Sequence, residues 1–263
     1  MFKSFAISAL LLSSTAFGFD FSQAEALFAK RGEGDRVANV AAARAAYQSA
    51  QAQTSGAEKV FAIQRLNRLD FYEALLVNDK ENKKRIFQGC IDRSEALVPN
   101  SVEFYYWKAV CVAEWSDANG ILASLTRSGE VESLLLKGRA IDARLEGGGF
   151  DRVLAFVYLK VPAINPFGPT RDLNKALASA NAAIASQAYP GEADPTTSTG
   201  DYFFNAYDVK AQILRAMGHR DEAITVAKEA ISRIEQGDLP VGREPETLLM
   251  LNDLKNTLAE VSK

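Results

Sequence analysis

Apolar residues recur along most of this chain at spacings of three and four, which places them on one face of an α-helix. Strict alternation over β-branched and aromatic runs is missing, so the pattern predicts helices and no strand. Residues 22–31 and 35–53 read as a first pair, split by Gly32-Glu33-Gly34. Residues 57–77, with Phe61, Leu66, Leu69 and Leu76 apolar, lead to a helix over 79–97 capped by Asn78 or Asp79. Pro99-Asn100-Ser101 is a stop followed by a cap. An aromatic-rich helix over 102–115, a short helix over 117–126 and an amphipathic helix over 130–145 come next. Gly147-Gly148-Gly149 breaks the chain. A helix over 150–160 then runs into a turn-rich stretch over 161–169, and Thr170 caps a helix over 171–187. A polar loop over 190–200 precedes a last pair, 202–217 and 220–236. A final helix over 245–261 covers the open end, as a terminal repeat must.

Several of these helices share a register. Tyr207, Ala211 and Leu214 are followed, after Gly218, by Ala223, Ala227 and Ala230. Ala176, Ala180 and Ala183 repeat the small-residue spacing, and Tyr105, Ala109 and Val112 repeat the large–small–large one. Small residues let two helices of a pair approach closely, and large ones fill the gap to the next pair. The pattern predicts an all-α fold, an α-solenoid of about five degenerate tetratricopeptide-like helix pairs with a C-terminal capping helix. An irregular helical bundle is the alternative. In this register Tyr105 faces the core, while Tyr106 and Trp107 point to a neighbouring helix or a groove.

The first residues bear on the compartment. Lys3 precedes an apolar run over 5–12, and Ala16 and Gly18 supply a small-x-small site, so residues 1–18 read as a signal peptide. The mature chain, 19–263, reads as one helical-repeat domain, exported to the periplasm and soluble or peripherally attached to the envelope. The leader run is shorter than the ~20 residues that span a bilayer, and no later run reaches that length. Net charge is −3 with no basic run, which argues against nucleic acid as a partner. Cys90 and Cys111 fall on consecutive predicted helices, level across the turn at Pro99-Asn100. Both a disulfide and two buried thiols are open at this point.

Catalytic patterns are missing. The one histidine, His219, sits in a turn, and two cysteines with one histidine do not make a zinc cluster of the usual ligand types. No Gly-x-Ser-x-Gly and no phosphate-binding Gly-rich loop occurs. We therefore assign no catalytic residue, metal or cofactor, and expect a non-enzymatic binding or scaffold protein. Three places could make contacts. The glycines at 147–149 could expose N–H groups at a helix start, with Arg152 as a partner for a ligand carboxylate; alternatively Arg152 pairs with Glu146. Tyr106 and Trp107 could line a groove for an apolar or peptide ligand, or simply pack. Ile164 and Phe167 could form a lid, a pore lining or a partner contact, or tuck over the end of the array.

Two segments, SVEFYYWKAVCVAEW (101–115) and the stretch 147–184, carry a more specific likeness. An aromatic helix with Trp107 precedes Gly148, then Arg152, Leu154 and Tyr158, then Pro162, and then Asp172 with Lys175-Ala176. This order resembles the T component associated with tripartite ATP-independent periplasmic (TRAP) transporters, over roughly residues 75–235. The resemblance implies a periplasmic helical protein beside a solute-binding protein, in some members a trimer with a central apolar pore. It adds Tyr158 to the candidate contacts Tyr106, Trp107, Gly148, Gly149, Arg152, Ile164 and Phe167. The partners it implies are a solute-binding protein and a second copy of the chain, while the candidate contacts themselves suggest a small apolar or carboxylate ligand. Family members often carry lipid on a cysteine, and this chain has none near residue 18. The alternative reading is an envelope-assembly adaptor that holds a peptide or partner helix in a concave groove.

Overall fold

Four helices begin where a short polar side chain accepts hydrogen bonds from N–H groups of the first turn. Asp35 accepts from Ala38 N at 3.1 Å, and Asp79 from Asn82 N at 3.1 Å. Ser101 accepts from Phe104 N at 3.1 Å, and Asp172 from Lys175 N at 2.9 Å. Each such cap contributes about 1 kcal/mol. The computed structural model describes residues 18–186, 204–237, 239 and 244–263. The expected leader up to residue 17 and the expected loop at 190–200 lie outside the described residues.

Within them the chain is all-α, with no strand. The helices are α1 (Ser22–Ala29), α2 (Arg36–Gln53), α3 (Gly56–Leu76), α4 (Lys80–Ser94), α5 (Val102–Asn119) and α6 (Ile121–Ile141). They continue with α7 (Leu145–Lys160), α8 (Leu173–Ala185), α9 (Asn205–Ala216), α10 (Arg220–Glu235) and α11 (Glu244–Val261). A 3-10 turn, Lys30–Gly32, extends α1.

Three boundaries differ from the sequence reading. The helix expected over 102–115 runs on to Asn119, and the pieces expected at 117–126 and 130–145 are absorbed into α5 and a continuous α6. The joint is Gly120, whose φ of 95° suits glycine and stops α5. Serines within the two pieces do not break α6: Ser124 and Ser128 bond back to carbonyls of the preceding turn. Asp172, not Thr170, caps α8, which ends at Ala185.

Each helix packs on the next, and α9 also meets α7 and α11. Ala176, Ala180, Ala183, Ala211, Ala223, Ala227 and Ala230 are all fully buried, as close helix contacts require. Tyr105 departs from the expected register. It is half-buried and donates to Asn100 Oδ1 at 2.8 Å, while Tyr106 and Trp107 are each only 4% exposed. Apolar neighbours surround α5 on more than one side, so a single core-facing stripe does not describe it.

The last helix does more than cover an end. α11 packs on α9 and α10, and it also reaches α3 and the 3-10 turn after α1. There Arg31 and Glu246, both almost fully buried, pair through Nε–Oε1 at 2.9 Å and Nη2–Oε2 at 2.6 Å. Beside them Gly32 lies so close to Pro245 that a Cβ on it would sit 2.6 Å from the proline ring. The two ends of the array therefore meet.

Cys90 of α4 and Cys111 of α5 are joined, with their Cα atoms 5.6 Å apart. A cross-link over a loop of this size restricts the unfolded chain by about 3 kcal/mol. The Cys90→Ala/Cys111→Ala double variant should lose about that much stability in urea denaturation. A loss near zero would show that the bridge contributes nothing.

Candidate functional site

The return of α11 toward α3 shapes a half-open central cavity of about 1230 Å3. Its walls come from α3, α4, α5, α6, α7, α9 and α11. Apolar surface makes up the larger part of the lining, from Phe71, Trp107, Val110, Phe156, Val157 and Met250 among others, and polar or charged residues are about half of those that line it. A cavity of this volume exceeds the ~300–1000 Å3 of usual small-molecule sites.

One part of the wall is a polar knot built by a strained turn. Glu146, Gly147 and Gly148 open α7 in three consecutive left-handed conformations, with φ of 53°, 59° and 75°. For Glu146, which has a Cβ, this costs about 1–2 kcal/mol. Two arginines hold it there. Arg68 of α3 donates to Glu146 Oε1 at 2.6 Å, and Arg152 donates to the Glu146 carbonyl at 3.2 Å. Arg152 also donates to the Tyr106 hydroxyl at 3.1 Å. All four side chains are buried. Arg152, expected to meet a ligand carboxylate or Glu146, thus reaches the Glu146 carbonyl and Tyr106.

The glycines serve close approach. A Cβ on Gly149 would lie 2.5 Å from the Tyr106 ring, and one on Gly148 would lie 2.9 Å from the backbone of Ala183. They bring α5, α7 and α8 together behind the cavity wall.

A second part of the wall carries unbalanced charge. Glu114 of α5 is half-buried, with protein densely around it and its carboxyl facing the cavity. Desolvation, and then the nearby Asp117, push its pKa from 4.5 to about 7, against the pull of Lys83. A side pocket of about 110 Å3 between α3, α4 and α5 shares Glu114, Lys83, Phe71 and Leu75 with the main cavity. Burial also raises the pKa of Asp253 on α11 and of Asp208 on α9. Asp208 accepts from Thr257 at 2.5 Å and Gln212 at 2.8 Å.

The sign of the Glu114 effect follows from its raised folded pKa. Between about 4.5 and 7 the folded state holds the extra proton, so stability falls as pH rises through that window. Glu114→Gln should leave stability near pH 4.5 almost unchanged and raise it at pH 8 by about 1–2 kcal/mol, after discounting for partial exposure. Urea midpoints at the two pH values check this; an equal effect at both would contradict it.

Of the residues singled out from sequence, Tyr106, Trp107 and Arg152 line the cavity, and Gly148 and Gly149 position its wall. Tyr158 does not line it: its hydroxyl donates to Glu132 at 2.8 Å, between α7 and α6. Ile164 and Phe167 lie on the loop after α7. Its backbone is docked on α6, where Asn165 donates to Ser128 Oγ at 2.8 Å, but Ile164 is 86% exposed and Phe167 50% exposed. Sequence reasoning missed Arg68, Lys83, Glu114 and Asp253. The one available signal was a charge set among apolar neighbours, as in Val112-Ala113-Glu114-Trp115.

No family model matches the chain, and no curated protein matches it. Among the described residues no group of acidic, histidine or cysteine side chains could hold a metal ion. No described helix is long and apolar enough to cross a membrane.

Proposed function

We propose that this protein binds a small, largely apolar ligand in the central cavity and acts as a binding or scaffold protein rather than as an enzyme. The observation that carries this reading is the cavity itself, about 1230 Å3, walled by seven helices and lined by aromatic and aliphatic side chains. In this reading the helices are degenerate tetratricopeptide-like pairs whose concave side is closed over by α11. The leader directs the chain to the periplasm. The resemblance to the TRAP transporter T component makes a solute-binding protein the proposed partner, and Ile164 and Phe167 the proposed contact for it.

A second reading, an envelope-assembly adaptor, draws on those same exposed side chains and places function on the outer loop. Filling the cavity separates the two. Ala113 lines the cavity, and Ala113→Trp should weaken saturable binding of the neutral apolar dye N-phenyl-1-naphthylamine at least about tenfold. The paired loop variant Ile164→Ser/Phe167→Ser should leave dye binding unchanged. The opposite pattern would move the site to the loop.

A further inference from the structure

Of the four cavity carboxyls that no described side chain pairs with, Glu114, Asp117, Asp253 and Glu260, only Glu114 is half-buried rather than exposed. Among the described residues no side chain forms a hydrogen bond or ion pair with Glu114; Asp117 and Lys83 act on it only through space. Five of the ten other charges on the wall are used within the fold. Glu146 is bonded to Arg68, and Arg152 to the Glu146 carbonyl and Tyr106. Asp208 accepts from Thr257 and Gln212, and Lys160 donates to Gln212 at 3.2 Å. Two charges act on Glu114, Asp117 of its own helix and Lys83 of α4, and Lys83 also acts on Asp253 of α11. Lys80 and Glu260, from α4 and α11, also line the cavity.

From this arrangement we propose that the cavity's ligand is an amine, with its ammonium seated at Glu114 and its apolar body against Phe71, Val110, Phe156 and Met250. The proposal rests on the cavity reading above and names the ligand's chemical class. An ammonium gives Glu114 the charge-assisted hydrogen bond it lacks. It also brings positive charge to a wall that carries more carboxylates than cations. A carboxylate of the same shape would gain the apolar contacts but be repelled by Glu114, Asp117 and Asp253. A neutral alcohol would gain the contacts alone.

The test is isothermal titration of the full chain at pH 8 with three probes of one length, octylamine, 1-octanol and octanoate. Octylamine should bind at least about tenfold more tightly than the other two, a difference typical of one charge-assisted contact. Its advantage should shrink at pH 6, where Glu114 is mostly protonated while the amine stays charged. Glu114→Gln should remove the advantage and leave 1-octanol binding within about twofold, which shows the variant cavity intact. Octanoate binding as tightly as octylamine, or an amine preference that survives both pH 6 and Glu114→Gln, overturns the amine assignment and leaves the cavity reading standing. Binding of none of the three to the unaltered chain overturns the cavity reading with it.

Discussion

Glu246→Ala should lower the stability of the chain by about 3–5 kcal/mol, the largest effect expected of any single substitution considered for this protein. Arg31 is 1% exposed and Glu246 2%, so neither charge has water to fall back on. Their two-pronged pairing satisfies both carboxylate oxygens, and a third guanidinium N–H donates to the Phe28 carbonyl at 3.0 Å. The guanidinium also lies 4.0 Å over the Phe28 ring. Removing the carboxylate takes away the two-pronged partner of this buried cation. Replacing both partners by apolar residues, Arg31→Met/Glu246→Leu, should cost much less, because no charge is then stranded. Urea denaturation of the two variants distinguishes a stranded charge from a merely lost contact. Equal losses in both would show that packing, rather than charge, holds α11 in place. Because α11 supplies Met250, Asp253 and Leu254 to the cavity wall, Glu246→Ala should also weaken ligand binding even under conditions where the chain stays folded.

Gly148→Ala should be the next most damaging, at about 2–5 kcal/mol, from two penalties that add. Its φ of 75° is left-handed, which costs an L side chain about 1–2 kcal/mol. Its Cβ would then lie 2.9 Å from both Cα and O of Ala183, backbone atoms that cannot rotate aside. Overpacking of that kind costs about 1–3 kcal/mol. Gly218→Ala serves as the comparison. Gly218 has a similar φ of 86° but open space around it, so only the conformational penalty applies. Thermal or urea unfolding that ranks Gly148→Ala no worse than Gly218→Ala would mean that α7 and α8 do not need their close approach.

The sequence shows helices well and their mutual placement poorly. Period and caps located most elements, because Asp35, Asp79 and Ser101 are local signals that act on the next turn. The α5–α6 joint was misplaced because the single Gly120 carries the turn, with no proline or glycine cluster to mark it. The burial of Tyr106 and Trp107 followed from α5 being enclosed on several sides, which depends on α7 arriving there. The closure by Arg31 and Glu246 joins residues more than two hundred positions apart, and no local pattern encodes such a pairing. The same holds for the cavity. Its lining draws on seven helices, and Lys83, Glu114 and Asp253 look like ordinary helix-surface charges until those helices converge. The triple-glycine signal was legible, but its use was not: it permits a left-handed turn that Arg68 and Arg152 tie down.

A photoreactive residue placed at Val110, a largely buried position on the cavity wall, tests the account most directly. The full chain is produced in cells that export it, irradiated before extraction, and weighed intact. The account predicts a discrete added mass of less than about 1 kDa at Val110, in keeping with a small-molecule site. The same probe at Phe167 on the outer loop should not acquire that mass. A Val110 probe that captures only water or its own chain, while the Phe167 probe alone acquires the discrete small-molecule mass, would contradict the cavity as the functional site.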